Sequence, residues 1–278
     1  MKISAIDRAV ARTEELFQII RLKGQIPIME IRADVLPLIQ EATEDASVFP
    51  LLTALQTKND YLYRHSVAVS AIATLIGRWM GLPDNESAML TVGALLHNAG
   101  KMRIPEAILN KEGPLDQEEF DLLKKHTVIG YELLEKTVGL SKRSALIALQ
   151  HHEREDGTGY PLRLPGSQID PLSKITAVAD VFHAITSHRV YRNAAPFHQM
   201  IGNIYNGSLG RFDYPIVHTF TKRLMNAMVG SEVTLTDSRR GRIVLVNPAD
   251  PTVPLVQVGS EFIDLSREPE VNMVAVYG

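Results

Sequence analysis

Cysteine is absent from this 278-residue chain. The absence excludes disulfide bonds and every metal site built on thiolates, and it is compatible with a reducing compartment. Net charge is also small, −3 from 29 basic and 32 acidic residues. The surface as a whole therefore has no positive excess with which to coat a polyanion, and we expect no DNA partner. A local basic cluster can still hold one small phosphorylated ligand.

Long apolar runs are missing as well. The N-terminal stretch MKISAIDRAVARTEELF carries charges throughout and has no apolar centre, so it is not typical of a secretory signal. No apolar run approaches the roughly 20 residues that a membrane-spanning helix needs. We therefore expect no membrane association and a cytoplasmic location. A hydrophobic content of 45% is enough for one large core with a small appended domain.

The texture of the sequence divides the chain into three segments. Residues 1–58 show an irregular helical pattern, and residues 59–229 are strongly helical. Residues 230–278 alternate polar and β-branched residues in runs of about five between turn signals, which predicts a small β-domain. The predicted fold class is mainly α, a helical bundle with a small C-terminal β-domain. Within the bundle, Asp116 to Lys136 is predicted to be one long helix that opens with a capping box of Asp116 and Glu119.

Histidine is the residue type that carries chemistry here. Any one buried histidine is more typical of a hydrogen-bonded core residue than of a ligand, but the members of this group follow one another at intervals of about one helix plus a connection. A helical bundle can therefore bring them to one interior point together with a carboxylate that interrupts the apolar run TAVADVFHAI. Imidazole and carboxylate are ligands for Zn, Mn, Fe or Ni, and six such groups suit two metal ions. The candidates are His65, His97, His126, His151, His152 and Asp180.

A compound motif adds a family resemblance. The ordered set of His65, LLHNAGK at 95–101, His126, HHEREDGTGYP at 151–161 and VADVFHAITSHRVYR at 178–192 resembles the HD-GYP family. This family is a bacterial branch of the HD-domain metal-dependent phosphohydrolases, and the resemblance covers about residues 60–195. It implies an HD-domain helical bundle around a metal centre and hydrolysis of the second messenger cyclic di-GMP to pGpG or GMP.

The resemblance also assigns roles to residues. It implies a divalent-metal centre, two ions of Fe, Mn, Zn or Ni, held by the six candidates above and by residue 98, which is Asn98. It implies that Lys101 acts catalytically beside the scissile phosphate, where a cation stabilises developing negative charge. The implied substrate-binding residues are Gly159, Tyr160, Pro161, Arg189 and Arg192.

Three positions depart from the family pattern. Asn98 stands where the family has a bridging Asp, and a neutral amide oxygen is a weak ligand for two cations. Tyr61 stands where some members carry a Glu for a third metal, so we expect two ions at most. His183 stands where the family has a second Asp on the helix that carries Asp180. One helical turn separates His183 from Asp180, so His183 either contacts Asp180 from behind the metal ligands or is a packing residue.

Two functions remain open on this evidence. The first is a metal-dependent cyclic di-GMP phosphodiesterase whose activity is reduced by Asn98. The second is a degenerate HD-GYP module that binds cyclic di-GMP or a protein without turnover. The GYP loop argues against an HD hydrolase for other phosphoesters, and the resemblance implies a GGDEF-type cyclase or another signalling protein as a possible partner.

Overall fold

The structure is a computed structural model, and it describes residues 4–44, 61–187, 197–207 and 209–277. A helical bundle is followed by one small β-sheet, so the predicted mainly α fold class is confirmed. Within those ranges no helix is both long and apolar enough to cross a bilayer. The helices are α1 Ala5–Lys23, α2 Ile28–Glu30, α3 Leu36–Glu44, α4 Tyr61–Trp79, α5 Asp84–Leu96, α6 Glu106–Leu109, α7 Gln117–Lys124, α8 His126–Glu135, α9 Lys142–Gln150, α10 Pro171–Ser187, α11 Phe197–Gly207 and α12 Tyr214–Asn226.

Helices α4 and α5 form the centre of the bundle. Every residue from Leu90 to Leu96 is buried, which fits the almost wholly apolar sequence of α5. Helix α4 packs against α5 and α10, and α9 packs against α5 and α8. Gly93 makes the approach of α5 to α9 possible, because a Cβ at this position would overlap the Ile147 side chain and crowd the backbone of Ser144. The histidines at the ends of these helices are therefore held by a dense core.

The prediction of one long helix from Asp116 to Lys136 is wrong. The capping box of Asp116 and Glu119 is present, but the helix breaks at Lys125 and a second helix starts at His126. Two side chains explain the break. The His126 ring nitrogen Nδ1 lies 2.7 Å from the carbonyl oxygen of residue 123, and the Thr127 hydroxyl donates to that of residue 124 at 3.0 Å. These side chains take the carbonyls that a continuous helix would bond through its backbone.

The N-terminal helices pack onto the bundle rather than standing apart from it. Phe17 of α1 is fully buried and meets Tyr63 of α4 edge to face, with ring centroids 5.9 Å apart. A π-helical turn, Ile31–Val35, joins α2 to α3. Buried hydrophobic side chains from all three segments belong to one continuous cluster. The division of the chain at residues 58 and 229 stays a prediction.

The C-terminal strands are β1 Glu232–Leu235, β2 Arg240–Leu245, β3 Leu255–Val258, β4 Glu261–Asp264 and β5 Met273–Tyr277. They form an antiparallel sheet in the order β4-β3-β2-β1-β5. One face is apolar, with Val233, Ile243, Val256 and Ile263 buried, and strand β5 lies beside helix α11. The period-two alternation of the sequence produces this division into an inner and an outer face.

Gly100 fixes the distance between the Ala99–Arg103 3₁₀ turn and helix α8. A Cβ at Gly100 would overlap the carbonyl oxygen of His126 and the backbone nitrogen of Gly130. We expect Gly100→Ala to lower the free energy of unfolding by about 2–3 kcal/mol, because backbone must move to admit the methyl group. Gly202→Ala, a change of the same type within helix α11, is the control, because a Cβ there meets nothing within 4 Å. Urea denaturation of both variants measures the difference, and equal stabilities would contradict the close-approach argument.

Candidate metal centre and substrate cleft

The six predicted His and Asp side chains surround one interior point. They form two groups whose potential ligand atoms lie within 4.8 Å of one another: His126, His151 and His152 in one, and His65, His97 and Asp180 in the other. The two groups are adjacent, since the rings of His97 and His151 are 4.9 Å apart. Each member comes from a different helix or helix end, except the consecutive pair at the end of α9. The arrangement therefore exists only when the bundle is assembled.

Backbone carbonyls orient three of the imidazoles. Nδ1 of His97 lies 2.7 Å from the Ala94 carbonyl oxygen, and Nδ1 of His126 is held in the same way by the carbonyl of residue 123. Nδ1 of His151 lies 3.0 Å from the carbonyls of residues 147 and 148. A carbonyl only accepts, so each Nδ1 carries the proton and each Nε2 keeps its lone pair. The last turn of each preceding helical segment thus sets both the ring orientation and the tautomer.

Two of these lone pairs face each other. Nε2 of His126 and Nε2 of His151 are 3.4 Å apart. With both protons on Nδ1, no hydrogen bond can form between them, and the contact is repulsive unless a cation lies alongside. Burial lowers the pKa of His97, His126 and His152 well below the usual range and lowers that of His151 to about 4. Neutral imidazoles with converging lone pairs are the form that binds a metal ion, so this donor set fits the metal that the sequence predicts.

The Asn98 side chain lies beside the candidate ligands and alters the availability of His97. Its Nδ2 donates to the His97 Nε2 lone pair at 2.7 Å, while its Oδ1 is buried without a hydrogen-bond partner among the described residues. An amide at this position therefore occupies a lone pair that a metal would need, and it leaves one oxygen unsatisfied. A carboxylate has no N–H to donate, so it would leave the His97 lone pair free and offer both of its oxygens to a metal ion.

Asp180 supplies the negative charge of the centre. Its Oδ1 lies 2.9 Å from Nε2 of His65 and 3.9 Å from Nε2 of His97. Burial alone would raise the pKa of this carboxyl, but the His65 hydrogen bond and the neighbouring imidazoles hold it well below its usual value. Asp180 is therefore an ionised, buried carboxylate, which is costly unless positive charge lies beside it.

His183 contacts the ring of His65, which itself lies against Asp180. Nδ1 of His183 lies 2.9 Å from Nδ1 of His65. One of the two nitrogens must donate and the other accept. Nε2 of His65 faces Asp180, and the His183 contact is made at the other ring nitrogen, Nδ1. The two contacts together orient the His65 ring.

Lys101 lies in the 3₁₀ turn that follows Asn98. Burial lowers the pKa of its ammonium group, and the Asp180 carboxylate opposes that shift. The close packing at Gly100 holds this turn against the start of α8, where His126 lies. Lys101 is thereby kept at the edge of the two histidine groups.

The loop of residues 153–164 is organised by Glu153, a residue to which the sequence assigned no role. Glu153 is buried, and its carboxylate accepts backbone N–H groups of three loop residues at 2.6–3.1 Å: Leu162, Arg163 and Leu164. Its position directly after the His pair was a visible signal, but only the folded loop shows what the carboxylate binds. Gly159 must lack a side chain, because a Cβ would lie 2.5 Å from backbone atoms of residues 152–154.

This loop brings the predicted substrate-binding residue Tyr160 next to the metal centre. Its ring stacks on that of His152, with centroids 4.6 Å apart and planes at 27°. Burial raises the pKa of the Tyr160 hydroxyl, so the phenol stays protonated. The peptide bond between Tyr160 and Pro161 is cis. Arg189 and Arg192, the other predicted substrate-binding residues, lie outside the described residues.

Two cavities of similar size are lined by residues of this region, one by His151 and His152 and the other by Lys101. The first, of about 570 Å³, is reached past His152 and is called here the aromatic cavity. Its walls include Phe120, Lys124, Tyr160, Arg154 and Phe212. The Lys124 ammonium lies 4.5 Å from the centroid of the Phe120 ring and 5.8 Å from that of Tyr160. Aromatic faces beside cations suit a flat, anionic ligand such as a nucleotide.

The second cavity, of about 580 Å³, is reached past Lys101 and is called here the α1 cavity. It is lined by Gln18 and Arg21 of helix α1, by Tyr63 of α4, and by Lys111.

Comparison with known proteins identifies the family. A model of the HD domain matches residues 51–216, which is more than half of the chain. The chain belongs to the HD-domain family. Curated relatives of the chain confirm its resemblance to the HD-GYP branch of this family. The chain is 36% identical over 207 residues to a cyclic di-GMP phosphodiesterase of Pseudomonas aeruginosa, covering 74% of this chain and 50% of that protein.

Other relatives agree on the class of protein. The cyclic di-GMP phosphodiesterase response regulator of Xanthomonas campestris is 41% identical over 138 residues, which cover 49% of this chain and 36% of that protein. A 3′3′-cGAMP-specific phosphodiesterase of Vibrio cholerae is 35% identical over 156 residues, covering 54% and 29%. Among solved structures, an HD-GYP-type protein of Bdellovibrio bacteriovorus superposes with a TM-score of 0.63 at 19% identity, covering 79% of this chain and 70% of that one, and it supports the fold. The chain spans half or less of the length of these curated relatives.

The carboxylate of Glu153 generates a prediction about the loop. Glu153→Gln keeps the shape but turns an amide NH₂ toward backbone N–H donors, which leaves donors unsatisfied. We expect a loss of about 1–3 kcal/mol in unfolding free energy and faster amide hydrogen exchange at residues 162–164. Glu155→Gln is a control, because the Glu155 carboxylate pairs with the Lys174 ammonium at 2.9 Å. Protection of residues 162–164 that is unchanged in Glu153→Gln would show that the carboxylate does not order the loop.

Proposed function

We propose that this chain is a metal-dependent phosphodiesterase that hydrolyses cyclic di-GMP to pGpG or GMP. The observation that carries the proposal is the pair of adjacent ligand groups, with converging Nε2 lone pairs and one ionised carboxylate, beside a cavity lined by His152 and Tyr160. A cyclic dinucleotide has two bases and two phosphates, so it can place one nucleotide in each cavity and one phosphate at the centre. The names of the curated relatives support the same class of substrate and favour turnover over a degenerate module.

The metal centre would use the residues that the sequence predicts. The donor set fits two divalent ions, drawn from Fe, Mn, Zn or Ni, held by His126, His151 and His152 on one side and by His65, His97 and Asp180 on the other. When bound, such ions supply Lewis acidity and an activated water for attack at phosphorus. The Asn98 oxygen, unpaired in its buried position, is the remaining donor.

The protein's own side chains would bind and orient the substrate. Lys101 offers a buried ammonium to the phosphate that lies at the centre, where a low dielectric strengthens the attraction. Tyr160 offers its ring as the floor of the aromatic cavity, and Lys124 keeps a positive charge above it. Gly159 and Pro161 shape the loop that presents this ring, and Arg189 and Arg192 remain proposed as phosphate- or base-binding residues.

Further parts of the proposal concern context. We propose residues 1–58, 59–229 and 230–278 as N-terminal helical segment, catalytic domain and β-domain. A GGDEF-type cyclase or another signalling protein is the proposed partner, and the proposed location is cytoplasmic.

Hydrolysis tests the function directly. The purified full chain, loaded with Mn²⁺ or Fe²⁺, is expected to convert cyclic di-GMP to pGpG or GMP. His151→Ala, which removes a central imidazole, is the inactive control. Parallel assays with 3′3′-cGAMP distinguish the two substrates named among the relatives. Binding of cyclic di-GMP without product in either metal would contradict the enzyme and support the degenerate module.

Asn98 generates a separate prediction about metal content. Asn98→Asp replaces a neutral amide, which occupies the His97 lone pair, with a carboxylate that adds charge. We expect higher metal occupancy by mass spectrometry, toward two ions per chain, and at least about a tenfold gain in affinity for the second ion. Asn110→Asp, a change of the same type on the wall of the α1 cavity, is the control. Equal occupancy in Asn98→Asp and the parent protein would show that residue 98 is not a ligand.

A further inference from the structure

The α1 cavity is lined by Arg21, which lies outside the residues that the HD-domain model matches. Arg21 lies near the end of helix α1, whereas the family model begins at residue 51. The same cavity is lined by Lys101, the residue proposed to act on the phosphate. The N-terminal segment therefore forms one wall of the cavity that Lys101 also lines.

Helix α1 holds Arg21 firmly in this wall. Phe17 and Ile20, which precede it, are fully buried in the common core. The helix ends at Gly24, whose left-handed conformation lets the chain turn away. Arg103 Nη1 donates to the Arg21 carbonyl oxygen at 3.1 Å, so the 3₁₀ turn that carries Lys101 is tied to the end of α1. The two cations are thus positioned by one shared set of contacts.

The Arg21 guanidinium is only partly used. One arm, Nη1, pairs with Glu106, but Nε is buried and has no hydrogen-bond partner among the described residues. The Glu106 side chain is 67% exposed, so it lies at the rim of the cavity, where water screens the pair. The Arg21 side chain lines the cavity and is 24% exposed, so an entering phosphate can take the place of the screened carboxylate on the guanidinium.

We propose that Arg21 binds the second phosphate of the cyclic dinucleotide in the α1 cavity, so that helix α1 completes the substrate site. The identity of the ligand rests on the proposed function. Glu106 holds the guanidinium when the cavity is empty and competes with the phosphate for it. Arg21 is therefore a substrate-binding residue, and the N-terminal segment sets the affinity of the catalytic domain for its substrate.

Binding measurements with four proteins test this assignment. Isothermal titration calorimetry of the metal-loaded full chain is carried out with a non-hydrolysable phosphorothioate analogue of cyclic di-GMP, so that turnover does not occur. Arg21→Gln is expected to weaken binding at least about tenfold, because a charge-assisted contact to phosphate is lost. Arg8→Gln is the matched control, since Arg8 lies on the same helix but pairs with Glu41 at 2.9 Å, away from the cavity. Its affinity should equal that of the parent protein.

Glu106→Gln separates ligand binding from a structural role. Removing the competing carboxylate should tighten binding, the direction opposite to Arg21→Gln. If the ion pair only stabilised the fold, both variants would weaken binding and lower the melting temperature together, and that result would overturn the proposal. Equal affinity of Arg21→Gln and the parent, or no binding of the analogue by the parent, would overturn it as well. Binding that depends on Arg21 without hydrolysis in Mn²⁺ or Fe²⁺ would contradict only the proposed activity.

Discussion

The carbonyl-to-imidazole hydrogen bond is the contact on which the centre depends. In three places the last turn before a histidine presents a backbone oxygen to Nδ1, which fixes the proton on that nitrogen and points Nε2 inward. The same bond at His126 uses a carbonyl that a continuous helix would need, so it also creates the break between α7 and α8. One local interaction thereby determines a helix boundary, a tautomer and a ligand direction.

Close packing of backbones sets the remaining geometry. Gly93 lets α9 approach the central helix α5. Gly100 lets α8 approach the turn that carries Lys101. Gly159 does the same for the loop that places Tyr160 on His152. Side chains at these positions would push apart elements that must meet within a few ångströms. The cleft is therefore shaped as much by missing Cβ atoms as by the residues that line it.

Much of the site could be anticipated from the order of residues along the chain. Histidines at the ends of successive apolar segments must approach one another when the segments pack into a bundle, and a carboxylate inside an apolar run requires a charged or hydrogen-bonding neighbour. Reasoning from periodicity failed between Asp116 and Lys136, where the apolar spacing runs on without interruption. Side-chain hydrogen bonds to carbonyls leave no trace in that spacing. His183 is similar, because its contact with His65 joins two helices and has no counterpart in the spacing of residues along one helix.

The sequence by itself determined the class of fold, the nitrogen and oxygen character of the centre, and the neutral amide at Asn98, because these depend on residue types and on the period of the apolar pattern. The tertiary structure decided which lone pairs converge, what the Glu153 carboxylate binds and where the Asn98 amide points. It also decided that Arg21, some 80 residues before Lys101 in the chain, shares a cavity with it. Such pairings arise from the packing of helices distant in sequence, and no local pattern encodes the distance between them.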